Sequence, residues 1–300
     1  MFKKIVVVDD TGIDSIARDK LSQLGEVVEF YDDYPKENSE IIRRIGDADC
    51  LLVSYLTLIP KEVIEACENL KYIGMCCSLF DEKSANVDVI CAKERGIQVL
   101  GVKDYGDEGV VEHIISELIR LLHGFGEHRW QDKPNELTNQ KIGVIGLGTT
   151  GMMTAEALKF LGADMYYYSR TPKVEAEEKG IKYLPFEEFL QTVDIVTTNL
   201  PKNTIVLNEK EFEILGNNKI LVNIAIGPTF SVPALKKWLE NKNNYYLCDA
   251  VGMGDYAEEL SSLENVIYIN KVAAASVECT KRLSRKVIEN IEDVLKTLSK

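Results

Sequence analysis

The residues best placed to do chemistry begin with Gly146-Leu147-Gly148-Thr149-Thr150-Gly151, a G-x-G-x-x-G run. Alone the pattern is weak, and its setting makes it specific. An apolar stretch over 142–145 reads as a buried strand, and Met152–Leu161 reads as the helix that follows. In such a corner the first glycine permits the tight turn, and the second lets backbone approach a pyrophosphate. The third lets helix and strand pack closely, leaving the amides of the helix N-terminus to face the anion. The run predicts a dinucleotide site. The next strand ends in Tyr166-Tyr167-Tyr168, followed by Ser169-Arg170-Thr171-Pro172-Lys173. A carboxylate at that strand end would bond the ribose 2′-OH of NAD. Ser169 stands there instead, with Arg170, Thr171 and Lys173 beside it, and guanidinium, hydroxyl and ammonium groups bond a 2′-phosphate well. NADP (as NADPH) is the expected cofactor, ahead of NAD.

The composition fits a small-molecule site. The chain has 300 residues, 45% hydrophobic and 28% charged, enough to bury one large core or two medium ones. Its formal net charge is −13. An acidic surface repels phosphate backbones and anionic lipid, so neither nucleic acid nor a membrane is expected as a partner. Met1-Phe2-Lys3-Lys4 runs into a short apolar stretch and then Asp9-Asp10, which predicts no secretory signal, and no stretch is long enough to span a membrane. The seven cysteines are odd in number, and Cys76-Cys77 are adjacent with no C-x-x-C spacing. They read as buried free thiols in a reducing cytoplasm, with no metal site.

Apolar runs rich in β-branched and aromatic residues position these groups. Strands are expected at Ile5–Val8, Val27–Tyr31, Leu51–Ser54, Tyr72–Met75 and Gln98–Val102, with helices near 13–23, 38–46, 61–68 and 87–95. A long helix follows at about 108–124, then a polar stretch holding Trp130. A second series runs from 142–145 through Met165–Tyr168, Asp194–Asn199, Ile220–Ala225, Tyr246–Val251 and Val266–Ile269 to a last helix at about 276–298. Strands alternating with helices imply βαβ units, and two series imply two parallel-sheet α/β domains.

Several stretches in order resemble the D-isomer-specific 2-hydroxyacid dehydrogenases, over nearly the whole chain. Leu70-Lys71-Tyr72-Ile73-Gly74 resembles the strand before that family's substrate loop, and Asn86-Val87-Asp88-Val89 with Ala92–Val99 resembles its next helix and strand. Val110-Val111-Glu112-His113, Trp130, the glycine run, Asp194–Pro201 and Leu221–Ala225 follow in the expected order. Ser169-Arg170-Thr171 is similar to the NADP-using glyoxylate and hydroxypyruvate reductases of that family.

The resemblance implies a doubly wound Rossmann cofactor domain, residues 103–276, inserted into a flavodoxin-like substrate domain of residues 1–102 and 277–300, with connecting helices as a hinge. It implies cofactor contacts from Asn199, Leu200 and Pro201, from Ala225 and Ile226, and from Asp249. A homodimer is also implied, with a shortened arm over Gly124–Gln140.

The family pairs an arginine that holds a 2-oxo acid with a histidine that transfers the proton, helped by a carboxylate. At the arginine's place this chain has Ile226; at the histidine's place it has Lys271. The carboxylate's place offers Asp255, and Cys76-Cys77-Ser78-Leu79-Phe80 replaces glycines that would cradle a carboxylate. His113, His123 and His128 fall on or just after the hinge helix and are set aside. An ammonium at residue 271 could stabilise oxygen charge left by hydride delivery and donate the proton; a partly closed apolar cleft would lower its pKa. Tyr55 and Tyr105 lie where the substrate domain's strands end, as substrate donors or as packing residues. The expected function is NADPH-dependent reduction of a small carbonyl or imine. The alternatives are a catalytically silent nucleotide-binding member and an ordinary 2-oxo acid reductase.

Overall fold

In the computed structural model, which describes residues 1–298, each predicted strand forms, and all the ladders are parallel. In chain order the first elements are β1 (Phe2–Val7), α1 (Ser15–Leu21), β2 (Gly25–Phe30), α2 (Asn38–Ile45), β3 (Cys50–Val53), α3 (Lys61–Ala66), β4 (Tyr72–Met75), α4 (Val89–Glu94) and β5 (Gln98–Leu100). Then come α5 (Asp107–His123), β6 (Lys141–Ile145), α6 (Thr149–Phe160), β7 (Asp164–Tyr168), α7 (Val174–Glu178), β8 (Lys182–Tyr183), α8 (Phe186–Thr192) and β9 (Ile195–Thr198). The rest are α9 (Glu209–Leu215), β10 (Ile220–Asn223), α10 (Val232–Trp238), β11 (Tyr245–Cys248), a 3₁₀ turn (Gly254–Tyr256), α11 (Ala257–Leu260), β12 (Val266–Tyr268) and α12 (Val277–Leu298).

Two compact units result: Met1–Gly106 together with the chain from Ser276 onward, and Asp107–Ala275. The expected substrate-domain segment 277–300 ends in residues 299–300, which lie outside the described ones. The first unit has strand order β2-β1-β3-β4-β5, the flavodoxin-like arrangement, and the second β12-β11-β10-β9-β6-β7-β8, the Rossmann arrangement extended by a strand. Each sheet is covered on both faces, which is why its strands read as continuous apolar runs rather than alternating ones.

The chain returns to its first unit because α12 carries an apolar stripe at helical spacing, Leu283, Val287, Ile291 and Val294. That stripe packs with Phe2, Ile5, Val7 and Leu52. Each such side chain contributes about 1.5–3 kcal/mol when fully buried; truncating Ile291 to Ala would cost about 2–5 kcal/mol. Among the described residues no helix is long and apolar enough to cross a membrane, and no cluster of three His, Cys, Asp or Glu could hold a metal.

Two expectations about boundaries need correction, and one short strand was not expected. The glycine-run helix begins at Thr149, not Met152, because Gly148 is its N-cap and Thr149–Gly151 form its first turn. Strands β9, β10 and β11 stop at Thr198, Asn223 and Cys248, leaving Asn199, Ala225 and Asp249 in the loops beyond. The two-residue edge strand β8 is too short to leave an apolar signal.

Candidate functional site

In the second unit the strand order reverses between β6 and β9, whose last residues Ile145 and Thr198 are partners. Open parallel sheets bind ligands at the carboxyl ends of the strands beside such a reversal. The glycine run leaves β6 there. Gly146 has φ +90°, and a Cβ on it would overlap the carbonyl oxygen of Asn199; a Cβ on Gly151 would overlap the carbonyl of Gly146. Gly148 differs from both: it is exposed, and a Cβ there would meet nothing within 4 Å. Two glycines close the corner and the third leaves its outer face open at the start of α6, where the first-turn amides lack helical partners. Asn199, on the β9 side, has its amide group on the hydroxyl of Thr197 at 2.8 Å, while its Oδ1 is buried with no hydrogen-bond partner. An open backbone cradle, free amides and an orphaned acceptor fit a dinucleotide. The Thr150 hydroxyl is already spent, donating to Asp107 Oδ1 at the start of α5.

At the end of β7 the buried Tyr167 phenol accepts a hydrogen bond from the Lys173 backbone amide at 2.6 Å. This brings Lys173 back toward the glycine run, where its ammonium donates to the carbonyl of Leu147. Ser169 Oγ donates to the Thr171 carbonyl at 2.6 Å, and the Arg170 side chain is exposed. The corner thus assembles two cations and two hydroxyl-bearing residues without a carboxylate among residues 169–173.

The loops after β10, β11 and β12 are tied to one another. Buried Asn223 donates to the carbonyls of Gly227 and Gly252, both at 3.1 Å, and accepts from Thr198 Oγ1 at 2.8 Å. Gly227 N donates to the Val251 carbonyl at 2.8 Å. Ala225 is buried beneath this loop while Ile226 is 37% exposed at its tip. Asp249 is buried, its Oδ1 accepting from Gly252 N and its Oδ2 from Ala273 N, each at 2.9 Å. Burial pushes its carboxyl pKa up, against the pull of those two amides and of nearby His113. Lys271 is fixed through its backbone, its carbonyl accepting from Ala250 N at 3.0 Å and its amide donating to Ile269 O at 2.7 Å.

Lys271 and Asp255, the expected proton donor and carboxylate, are both exposed in the second unit. The Lys271 side chain is exposed within its unit, and Val272–Ala274 beside it are half-buried. Asp255 is exposed on its 3₁₀ turn, and among the described residues no hydrogen bond or ion pair joins it to Lys271. The turn at Gly254, with φ +54°, carries Asp255 away from the buried position that Asp249 holds.

In the first unit, Tyr55 follows β3 and Tyr105 precedes α5, both half-buried. Burial pushes the Tyr105 phenol pKa up, with Cys77, Cys279, Cys76 and Tyr55 nearby adding to it. All seven cysteines are buried and outside disulfides, and Cys77 Sγ lies 3.6 Å from Asn86 Oδ1. Across this sheet's own reversal, between β1 and β3, buried Asp9 accepts from Ser54 N at 2.9 Å and Ser54 Oγ at 2.6 Å.

Three of these residues were not legible as functional in the sequence: the linking Asn223, the Tyr167 phenol that pins Lys173, and His113. His113 lies in α5 beside Asp249, and its Nε2 is buried without a hydrogen-bond partner.

Comparison with known proteins agrees with this geometry. Residues 113–273 match the model of the D-isomer specific 2-hydroxyacid dehydrogenase NAD-binding domain. The chain is 26% identical over 321 residues to a hydroxypyruvate reductase of Blautia hydrogenotrophica, covering 98% of this chain and 97% of that one. It is 29% identical over 291 residues to a glyoxylate reductase of Pyrococcus furiosus, covering 89% of this chain and 84% of the relative. Among solved structures, an acyclic imino acid reductase in complex with NADPH and D-Arg shares the fold with a TM-score of 0.84, at 24% identity, over 98% of this chain and 97% of that one.

Proposed function

The chain belongs to the D-isomer-specific 2-hydroxyacid dehydrogenase family and is a nicotinamide-dependent oxidoreductase, and we propose that within it the protein is an NADPH-dependent reductase of a small carbonyl or imine, with Lys271 as proton donor. The observation that carries this reading is the pair Ile226 and Lys271 on strand-end loops that the Asn223 and Asp249 hydrogen bonds hold in fixed form.

The cofactor supplies the hydride. Gly146–Gly151 would receive its pyrophosphate, Asn199 Oδ1 would accept from a hydroxyl or amide of the cofactor, and Leu200, Pro201 and Ala225 would pack along it. Ser169, Arg170, Thr171 and Lys173 would hold the 2′-phosphate. Hydride addition to the carbon of C=O or C=N places an electron pair on oxygen or nitrogen. The Lys271 ammonium stabilises that charge and gives up its proton, and solvent restores it. Tyr55 and Tyr105, at strand ends of the first unit, are candidate substrate donors. A guanidinium fork for a carboxylate is missing at residue 226, which favours substrates whose binding does not rest on a 2-carboxylate. The imino acid reductase of like fold supports including imines.

A homodimer and a reducing, cytoplasmic setting complete the reading, the latter supported by seven buried thiols outside disulfides. Lys271→Met should abolish turnover of 2-oxo acids, ketones and cyclic imines while NADPH binding, followed by fluorescence, is kept. Near-normal kcat in that variant defeats the reading. The exposure of Lys271 favours one second reading, a nucleotide-binding protein without turnover; NADPH binding with no oxidation across that substrate panel would select it.

A further inference from the structure

We propose that Asp249, with His113 beside it, is the positioning group of the Lys271 loop: one buried carboxylate holds the loops after β11 and β12 together by accepting from Gly252 N and Ala273 N. This rests on the reading of Lys271 given above and adds the device that fixes it.

Among the described residues no hydrogen bond or ion pair holds the Lys271 side chain, so its position is a property of its backbone. That backbone has three restraints within three residues. The Lys271 amide closes onto Ile269 O at 2.7 Å, its carbonyl accepts from Ala250 N at 3.0 Å, and two residues on Ala273 N donates to Asp249 Oδ2 at 2.9 Å. The last two come from adjacent residues, Asp249 and Ala250, so the end of β11 grips the segment from both sides of Val272. The remaining oxygen of Asp249 takes Gly252 N at 2.9 Å, and Gly252 O in turn accepts from Asn223 at 3.1 Å. The Lys271 loop is thereby joined to the loop bearing Ile226.

A third element closes the arrangement. Gly109 in the first turn of α5 packs on the Ala273–Ala274 backbone, so closely that a Cβ would lie 2.9 Å from Ala273 O. His113 is one helical turn further along the same face, and its imidazole lowers the pKa of the Asp249 carboxyl against burial. Tyr246 and Cys248, on β11, also lie near that carboxylate. A carboxylate can accept from two amides at once; a protonated acid or an amide side chain presents a donor to one of them. His113, with its Nε2 buried and without a hydrogen-bond partner on that face, therefore acts through Asp249 when it carries a proton, by favouring the carboxylate that grips both loops.

The test compares wild type, Asp249→Asn, His113→Gln and Lys271→Met by amide hydrogen exchange of the 269–275 segment, NADPH binding and turnover. In Asp249→Asn, exchange of that segment should quicken at least about tenfold and kcat should fall about tenfold or more, as losing a charged hydrogen bond implies. Because Asp249 is also an expected cofactor contact, kcat is read at saturating NADPH, which separates loss of loop positioning from weaker cofactor binding. In His113→Gln the acid limb of the kcat profile should move to higher pH, and in Asp249→Asn that limb should vanish. Lys271→Met should keep wild-type exchange. Unchanged exchange in Asp249→Asn, or an acid limb unmoved by His113→Gln, overturns the proposal whatever Lys271 proves to do. Persistent turnover in Lys271→Met overturns the functional reading while the exchange result still decides the role of Asp249.

Discussion

Tyr167 and Lys173 are bound to each other at both ends of the lysine's backbone: the phenol accepts from Lys173 N at 2.6 Å and lies 3.3 Å from Lys173 O. A fully buried ring thus determines where an exposed turn places its cation, beside the glycine run at Leu147 O. If that cation serves a 2′-phosphate, Lys173→Met and Arg170→Ala should each weaken NADPH binding about tenfold, the lower end for a charge-assisted bond at a solvated site. NADH binding should hardly change. Tyr167→Phe should repeat the Lys173 effect in weaker form. Titration of both cofactors against the three variants checks this, and NADH bound more tightly than NADPH by the wild type refutes the preference.

The three glycines of the run should separate binding from stability. Gly148 has open space where a Cβ would go and φ −79°, so Gly148→Ala should leave the Tm within about 2 °C. It should nevertheless weaken dinucleotide binding by roughly tenfold or more, since the methyl occupies the face the pyrophosphate approaches. Gly146→Ala meets Asn199 O at φ +90°, and Gly151→Ala meets Gly146 O. Both should lower the Tm by several degrees. Equal loss of Tm in all three would contradict the assignment of roles.

Acid should reveal a different pair of contacts. Glu40 accepts from Arg43 and Arg44, and those guanidinium groups hold its carboxyl down to about 2 from 4.5. A depressed acid stabilises the fold above its unfolded pKa, and that contribution disappears as pH falls through the folded value. Glu40→Gln should therefore melt below wild type at pH 7, and the gap should narrow between pH 4.5 and about 2. A gap that widens toward acid would reverse the sign and disprove the pairing. Arg44 also donates to Val8 O at 3.0 Å and stacks on the Tyr31 ring, so its own truncation should cost more than that of Glu40.

The thiols give a test of the packing of both units. Burial pushes the pKa of Cys248 up to about 12, and those of Cys76 and Cys50 upward as well. Thiolate is the reacting form, so a disulfide reagent should label the native protein slowly and all seven positions quickly in denaturant. Rapid labelling of Cys76 or Cys77 in the native state would show that the loop after β4 opens, and would bring these residues back as candidates for chemistry.

How much of this was legible depends on whether sequence spacing or tertiary approach places a group. The strands of both sheets are visible because burial on two faces makes each an unbroken apolar run. The glycine run is visible because its three positions have separate steric reasons. Lys271 and Ile226 are visible only as occupants of places that a resemblance assigns. Asp249 reads as one more strand-end acid, and nothing local shows that its oxygens reach Gly252 and Ala273, the latter 24 residues on. His113 was passed over because helix position alone does not reveal that α5 turns that face to β11. Asp255, like Lys271 and Ile226, is visible only as the occupant of a place that the resemblance assigns, and it lies exposed on a 3₁₀ turn.

The loop carrying Ile226 invites a gain of function. Ile226 is 37% exposed, while Ala225 beneath it is buried and Gly227, at φ +83°, closes the turn by donating to Val251 O at 2.8 Å. The fold thus places little demand on the side chain at residue 226, and Ile226→Arg should keep the Tm within about 2 °C. A guanidinium there could bond a carboxylate through two parallel N–H groups, each charge-assisted bond being worth about 1.5–3 kcal/mol. If the missing fork is what turns this chain from 2-oxo acids, kcat/KM for glyoxylate should rise about tenfold or more in Ile226→Arg, through KM more than kcat. Ketone or imine reduction should not gain, since those substrates offer the fork nothing to hold. A variant that folds, binds NADPH and gains nothing with any 2-oxo acid would place the block elsewhere, with Cys76-Cys77 in the first unit as the next position to change.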